Sequence, residues 1–256
     1  MATPHPRKAL ELFLSVGVGA GVALADLSGT LPAFSAHHGQ HSQPQLLAEG
    51  GEGGEGGEGG EGSATAVQSN EELLVVLAQM QGHLLVAEEL LQAGDGAAAE
   101  PHAGHPVDEL YGAVEPALSE RGLPGFLGSL NALRQQVQLD PSAASTTAKL
   151  KAAQQAIGKA EAAVSGNTLS VVQQLSAAAA EEYAAAVADG RVIETIEYQD
   201  ARGFLLAAQR RLQQDPAAPA AARAQIAAML KAFPAAQPPA RVVLTVEQLQ
   251  SLQRGI

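Results

Sequence analysis

From Ser69 onward the apolar residues recur at steps of three and four. Leu73, Leu77, Met80, Leu84, Ala87 and Leu91 form the first such series. A period near 3.6 gathers them on one stripe of an amphipathic helix, whereas a strand would divide them between two faces. Ser69 or Asn70 caps this helix, with Glu71 and Glu72 at its positive end, and Gly94 stops it. Residues 95–104 then read as a loop, and His105 reads as the cap of a second helix starting at Pro106. Pro116 and 122-GLPG-125 end or kink that helix. A third runs from Phe126 to Leu139, and a fourth from Asp140-Pro141-Ser142 to about Val164. Thr168 to Asp189 reads as the fifth, with Gly190 as its C-cap. Val192–Gln214 and Ala220–Phe233 follow, and then a short last helix from Leu244 to Arg254. No alternating β-branched run is long enough for a sheet. Short connections between long amphipathic segments predict an all-α, up-and-down helical bundle of about seven helices, spanning 69–256.

The first 68 residues read differently. Arg7 and Lys8 precede a mostly apolar stretch, Ala9 to Ala25, that ends in Ala23-Leu24-Ala25. This is the layout of an export signal over residues 1–25, with an uncleaved anchor as the alternative. Residues 26–68 read as a disordered linker. Within them, 50-GGEGGEGGEGGEG-62 combines glycine entropy with repelling glutamates and offers no apolar side chain to offset ordering. His37, His38 and His41 lie in the same tract, where loose Cu or Zn binding is one reading and a plain tail the other. No later segment reads as a membrane span. The expected location is therefore extracytoplasmic, periplasmic or beyond.

Composition removes several chemistries. There is no cysteine, so disulfides, thiolate zinc sites and cysteine nucleophiles are excluded. Aromatics are 3% and the net charge is −12, which argues against nucleic acid or an anionic membrane as partner. No phosphate-cradling or nucleophile-elbow motif is present. The charge is uneven: residues 69–140 hold 11 acidic and 2 basic side chains, and residues 141–256 hold 9 and 11. All histidines of the helical part, His83, His102 and His105, lie in the acidic portion. Such a field attracts cations, although a solvated acidic face has the same composition.

Three constellations could carry chemistry. On the first helix His83 lies about 80° to one side of the apolar stripe and Glu88 about 60° to the other. Both flank the core face and each could meet a neighbouring helix. The segment 101-PHAGHPVDELYG-112 adds His102, His105 and Glu109. Imidazoles with a carboxylate suit Fe, Cu or Zn; alternatively His105 only caps, and Glu109 only favours the helix dipole. The third group is Glu182, Glu194, Glu197, Tyr198 and Asp200. Paired carboxylates on facing helices are how bundle cores bind di-iron, but the E-x-x-H pattern is missing, and Arg191 and Arg202 offer ordinary ion pairs.

The blocks GHLLVAEEL, PHAGHPVDELY and AAEEYAAAVADGRVIETIEYQDARGF resemble poorly characterised exported bacterial helical proteins. The last block is also similar to helical domains attached to bacterial iron permeases and, more distantly, to imelysin-like proteins. Imelysin-like proteins carry G-x-H-x-x-E; here Gly82 and His83 are adjacent and Glu88 stands five residues on. The resemblance implies an extracytoplasmic bundle concerned with iron or a similar metal, and it assigns no ligands.

Two readings follow, neither with catalytic residues. In one the bundle binds a transition-metal ion through His83, His102, His105 and Glu109, with Glu88 as a further candidate, for sensing, buffering or delivery. In the other it is a metal-free module that docks on an envelope protein partner. A hydrolase or redox enzyme on the same histidines is a third, weaker possibility.

Overall fold

The structure is a computed structural model that describes residues 67–256. The export-signal region, nearly all of the Gly/Glu-rich linker and His37, His38 and His41 lie outside the described residues. Nine α-helices are described: α1 (Asn70–Gln92), α2 (Gly96–His105), α3 (Tyr111–Glu120), α4 (Leu127–Leu139), α5 (Ala144–Ala162), α6 (Thr168–Ala186), α7 (Thr195–Gln214), α8 (Ala220–Met229) and α9 (Val246–Gln253). The all-α bundle read from the sequence is what the chain forms.

Ser69 caps α1 in a complete capping box. Its Oγ accepts from the Glu72 N–H at 3.1 Å, and the Glu72 carboxylate accepts from the Ser69 N–H at 3.2 Å. Gly94, with φ +78°, turns the chain into α2. Contrary to the amphipathic expectation, α1 is covered nearly all round. Leu73, Leu77, Met80 and Leu84 join one hydrophobic cluster with α2 to α5. Leu74, Val75 and Ala78 join a second with α6 to α9. By length and a mean hydropathy of 1.3, α1 could cross a membrane, which the sequence reading did not allow, yet 72% of that stretch is buried in the bundle. An all-round apolar helix is what a central core position requires.

The region read as a loop is helical. The Asp95 side chain accepts from the Ala98 N–H at 3.0 Å and starts α2 at Gly96, and Ala97, Ala98 and Ala99 favour the first turn. The helix passes through Pro101, and His105 is a helical residue (φ −51°, ψ −42°), not a cap. Pro106 lacks an N–H and would clash in a regular ladder. The chain absorbs it in a π-helical turn, Pro106–Leu110, in which the Tyr111 N–H reaches the Pro106 carbonyl five residues back. The helix then resumes as α3.

α6 also ends earlier than expected. Val187–Ala188 (β1) pairs antiparallel with Arg191–Val192 (β2). Asp189 and Gly190 have φ of +52° and +70°, the left-handed pair of a type I′ hairpin turn. Gly190 is thus a turn residue, not a helix cap. α7 packs back along α6, and α1 meets α7 in a backbone-to-backbone crossing at Gly82 and Gly203. A Cβ on Gly82 would sit 2.7 Å from the Gly203 carbonyl carbon, and one on Gly203 would sit 2.6 Å from the Gly82 oxygen. Only glycine lets these backbones touch.

Candidate metal centre

The Gly82–Gly203 crossing positions two of the chemically active side chains. His83 follows Gly82 on α1. Asp200 lies three residues before Gly203 on α7, so it shares that helix face. His102 and His105 are also three apart, on one face of α2, which packs beside α1. The four side chains converge. His83 Nδ1 is 2.8 Å and His102 Nδ1 3.0 Å from Asp200 Oδ1, and His105 Nδ1 is 3.5 Å from Asp200 Oδ2. One ligand atom from each residue lies within 4.8 Å of all the others.

The centre is dry. His102 is 0% exposed, His83 3% and Asp200 7%; His105 is partly buried. Each Nδ1 lies within ion-pair distance of the Asp200 carboxylate, but the contacts miss well-aligned hydrogen-bond geometry. The three Nδ1 atoms and Asp200 Oδ1 are all buried without a hydrogen-bond partner. Such orphans are rare in a folded core and costly to keep.

The outer partner of His102 sets its chemistry. Its Nε2 stands 2.9 Å from Gln199 Oε1, while Gln199 Nε2 donates to the Ala236 carbonyl at 3.2 Å. The carbonyl fixes the amide orientation, so Gln199 presents an acceptor and His102 carries its proton on Nε2. In the neutral ring the Nδ1 lone pair then points inward. This is how an outer group prepares a histidine ligand. His83 is steadied by the Phe204 ring edge, with centroids 5.3 Å apart at 86°.

Burial lowers the His83 pKa, even against the attraction of Asp200. Burial works the same way on His105, but Asp200 and Glu109 outweigh it and raise that pKa to about 9. For Asp200, burial alone would raise the pKa; the surrounding imidazoles overcome it and hold the carboxylate well below its usual range. The centre is an anion ringed by imidazoles, which a proton or a metal cation can satisfy. Three nitrogen donors and one oxygen donor suit a first-row transition ion.

The remaining candidates fall elsewhere. Glu109 sits in the π-turn with Oε1 4.0 Å from His105 Nε2, on the outer side of that ring and outside the converging group. Glu88 is turned away: its carboxylate accepts from Gln154 at 3.0 Å and Gln92 at 3.5 Å. Tyr198 is a core residue whose hydroxyl donates to the Ala235 carbonyl at 3.2 Å and whose ring packs on Phe233. Glu182 is buried on α6. Burial first, then repulsion from Asp200, Glu197 and Glu109, raises its pKa to about 8. Glu194 precedes α7 and Glu197 lies in its first turn; both are partly exposed, and neither belongs to the converging group. Arg202 pairs with Glu89 at 2.8 Å and takes no part in the centre. Gln199 escaped the sequence reading, because nothing local links it to a histidine 97 residues away.

The fold and site thus define a helical bundle with a buried three-histidine, one-aspartate cluster. Residues 158–256 match the family model of the iron permease-associated 4-helix bundle domain, which supports the resemblance of this part of the chain to helical domains associated with iron permeases. No curated protein and no solved structure matches the chain. The matched stretch contains Asp200, Gln199 and Glu182, and all three histidines precede it.

Proposed function

We propose that this chain is an extracytoplasmic helical protein that binds a transition-metal ion, iron-related in its biological role, for sensing, buffering or delivery. The observation that carries the reading is the set of four inward donor atoms, buried, mutually within 4.8 Å and without hydrogen-bond partners. The iron-permease association of the matching family supports the choice of iron. His83, His102, His105 and Asp200 would hold the ion, and Gln199 would orient His102. Equilibrium dialysis of chelator-treated protein against Fe, Cu, Zn and Mn, followed by elemental analysis, tests this. The expected result is one ion per chain, bound at micromolar concentration or tighter; an acidic surface alone gives only weaker binding. Fractionation of the producing cells tests the location, and a cytoplasmic protein would refute it.

A second reading, docking on an envelope partner without metal, draws on one surface. Ile193 is 59% and Val243 53% exposed, and the Val242 N–H donates to the Gly190 carbonyl at the hairpin tip, 3.2 Å away. If docking is the function, Ile193→Glu with Val243→Glu abolishes co-purification with a membrane permease while His102→Ala leaves it intact.

A further inference from the structure

We propose that the centre selects a divalent first-row transition ion over a trivalent one, so that the iron it takes is ferrous. This rests on the metal-binding reading above and deepens it.

The argument begins with charge. The converging group contains three imidazoles, neutral when they ligate, and a single carboxylate. A divalent ion leaves the site with one net positive charge, and a trivalent ion leaves it with two. His102, His83 and Asp200 are almost entirely removed from water, so solvent offers little compensation for the second charge.

The supply of further anions is limited. Trivalent iron is a hard ion that favours anionic oxygen, whereas imidazole suits borderline divalent ions. The chain's three tyrosines are engaged elsewhere, and the Tyr111 hydroxyl accepts from the Phe126 N–H at 3.3 Å. The Tyr183 hydroxyl donates to the Leu244 carbonyl at 2.7 Å, and Tyr198 donates to Ala235. Among the described residues, no other aspartate, glutamate or histidine joins the four within their span. Glu182 on α6 lies outside that group, and so does Glu109, whose Oε1 is 4.0 Å from His105 Nε2 on the outer side of that ring. The outer partner of His102 adds no charge either. Histidine ligands commonly donate to a carboxylate, which makes them more basic; here the acceptor is the neutral amide of Gln199. The same donor set works against Mg and Ca, which require oxygen ligands throughout.

The test is a competition on the full chain. Chelator-treated protein is dialysed without oxygen against Fe(II), Zn(II) and Mg(II), and in parallel against Ga(III), a redox-inert stand-in for ferric iron, presented as its citrate complex. Bound metal is counted, with free-ion concentrations corrected for citrate. One Fe(II) or Zn(II) per chain, held roughly a hundredfold more tightly than Ga(III), is the expected result. Asp200→Asn and His102→Ala, each checked for retained helicity, should both remove that ion, which ties it to this centre. Ga(III) bound as tightly as Fe(II) overturns the charge argument and leaves the metal reading standing. Absence of stoichiometric binding by any of the ions overturns both.

Discussion

The two halves of the helical region contribute unequally to the centre. Residues 158–256, which match a family model, supply one carboxylate donor. Residues 67–157 supply three imidazoles. Neither half holds the site alone, because the donors meet only where α7 crosses α1 and α2 lies beside both. A likeness confined to the second half therefore says where the aspartate and its orienting glutamine come from, and leaves the histidines to geometry. The lesson is that the chemistry sits at a seam between a part that matches a family model and a part that lies outside that match.

The most forceful way to break this comparison is to remove the single donor of the matched half. Asp200→Asn keeps the shape and deletes the one carboxylate of the converging group, and is expected to abolish stoichiometric binding at micromolar metal in dialysis. If affinity persists, the three histidines form the site unaided.

Glu182, in the matched half, tests the electrostatics without metal. Its folded pKa, about 8, lies above the ordinary value of 4.5. For an acid raised on folding, the associated stability is complete below the unfolded pKa and is lost as pH rises through the folded one. Urea unfolding of metal-free protein should therefore show wild type losing ground to Glu182→Gln between about pH 4.5 and 8. A constant difference across that window would contradict the burial of this carboxyl.

Gln199 links the halves through His102. Gln199→Leu should weaken metal binding about 10- to 100-fold while the far-UV spectrum stays helical. An unchanged affinity would mean that His102 is oriented by packing alone.

The crossing and its control are read in stability instead of binding. Gly203→Ala places a methyl against backbone and should cost about 1–3 kcal/mol in unfolding experiments. Gly128 in α4 faces open space, so Gly128→Ala should change stability by less, about 0.5–1 kcal/mol in the favourable direction. Equal effects at the two positions would refute the tight contact.

Much of the fold is legible in the sequence because its signals are local. Ser69, Gly94 and 122-GLPG-125 bound helices close to where the sequence places them, and the breaks after Val164 and Gln214 fall between helices as expected. The failures share a cause. Pro101 and Pro106 are local signals to stop, but Asp95 capping, the alanines and burial between α1 and the rest of the bundle outweigh them. Asp189-Gly190 is a hairpin signal that a helical frame obscured. Leu74, Val75 and Ala78 fall off the apolar stripe, and only a second layer of helices explains them.

The centre was legible to the extent that its histidines are neighbours in sequence. Asp200 could be singled out only as one acid among several. What selects it over Glu88 or Glu109 is the docking of α7 at Gly82 and Gly203, a contact between residues more than a hundred positions apart. No spacing rule encodes such a contact.

The central position of α1 has a consequence in time. It leaves the ribosome well before α7, the helix that covers its far side. At ordinary rates of synthesis that interval is on the order of ten seconds. Throughout it, a 23-residue segment apolar enough to enter a bilayer waits with one flank uncovered. Newly made chains should therefore depend on a holding chaperone, or on post-translational handling, more than the finished protein's well-covered core would lead one to expect.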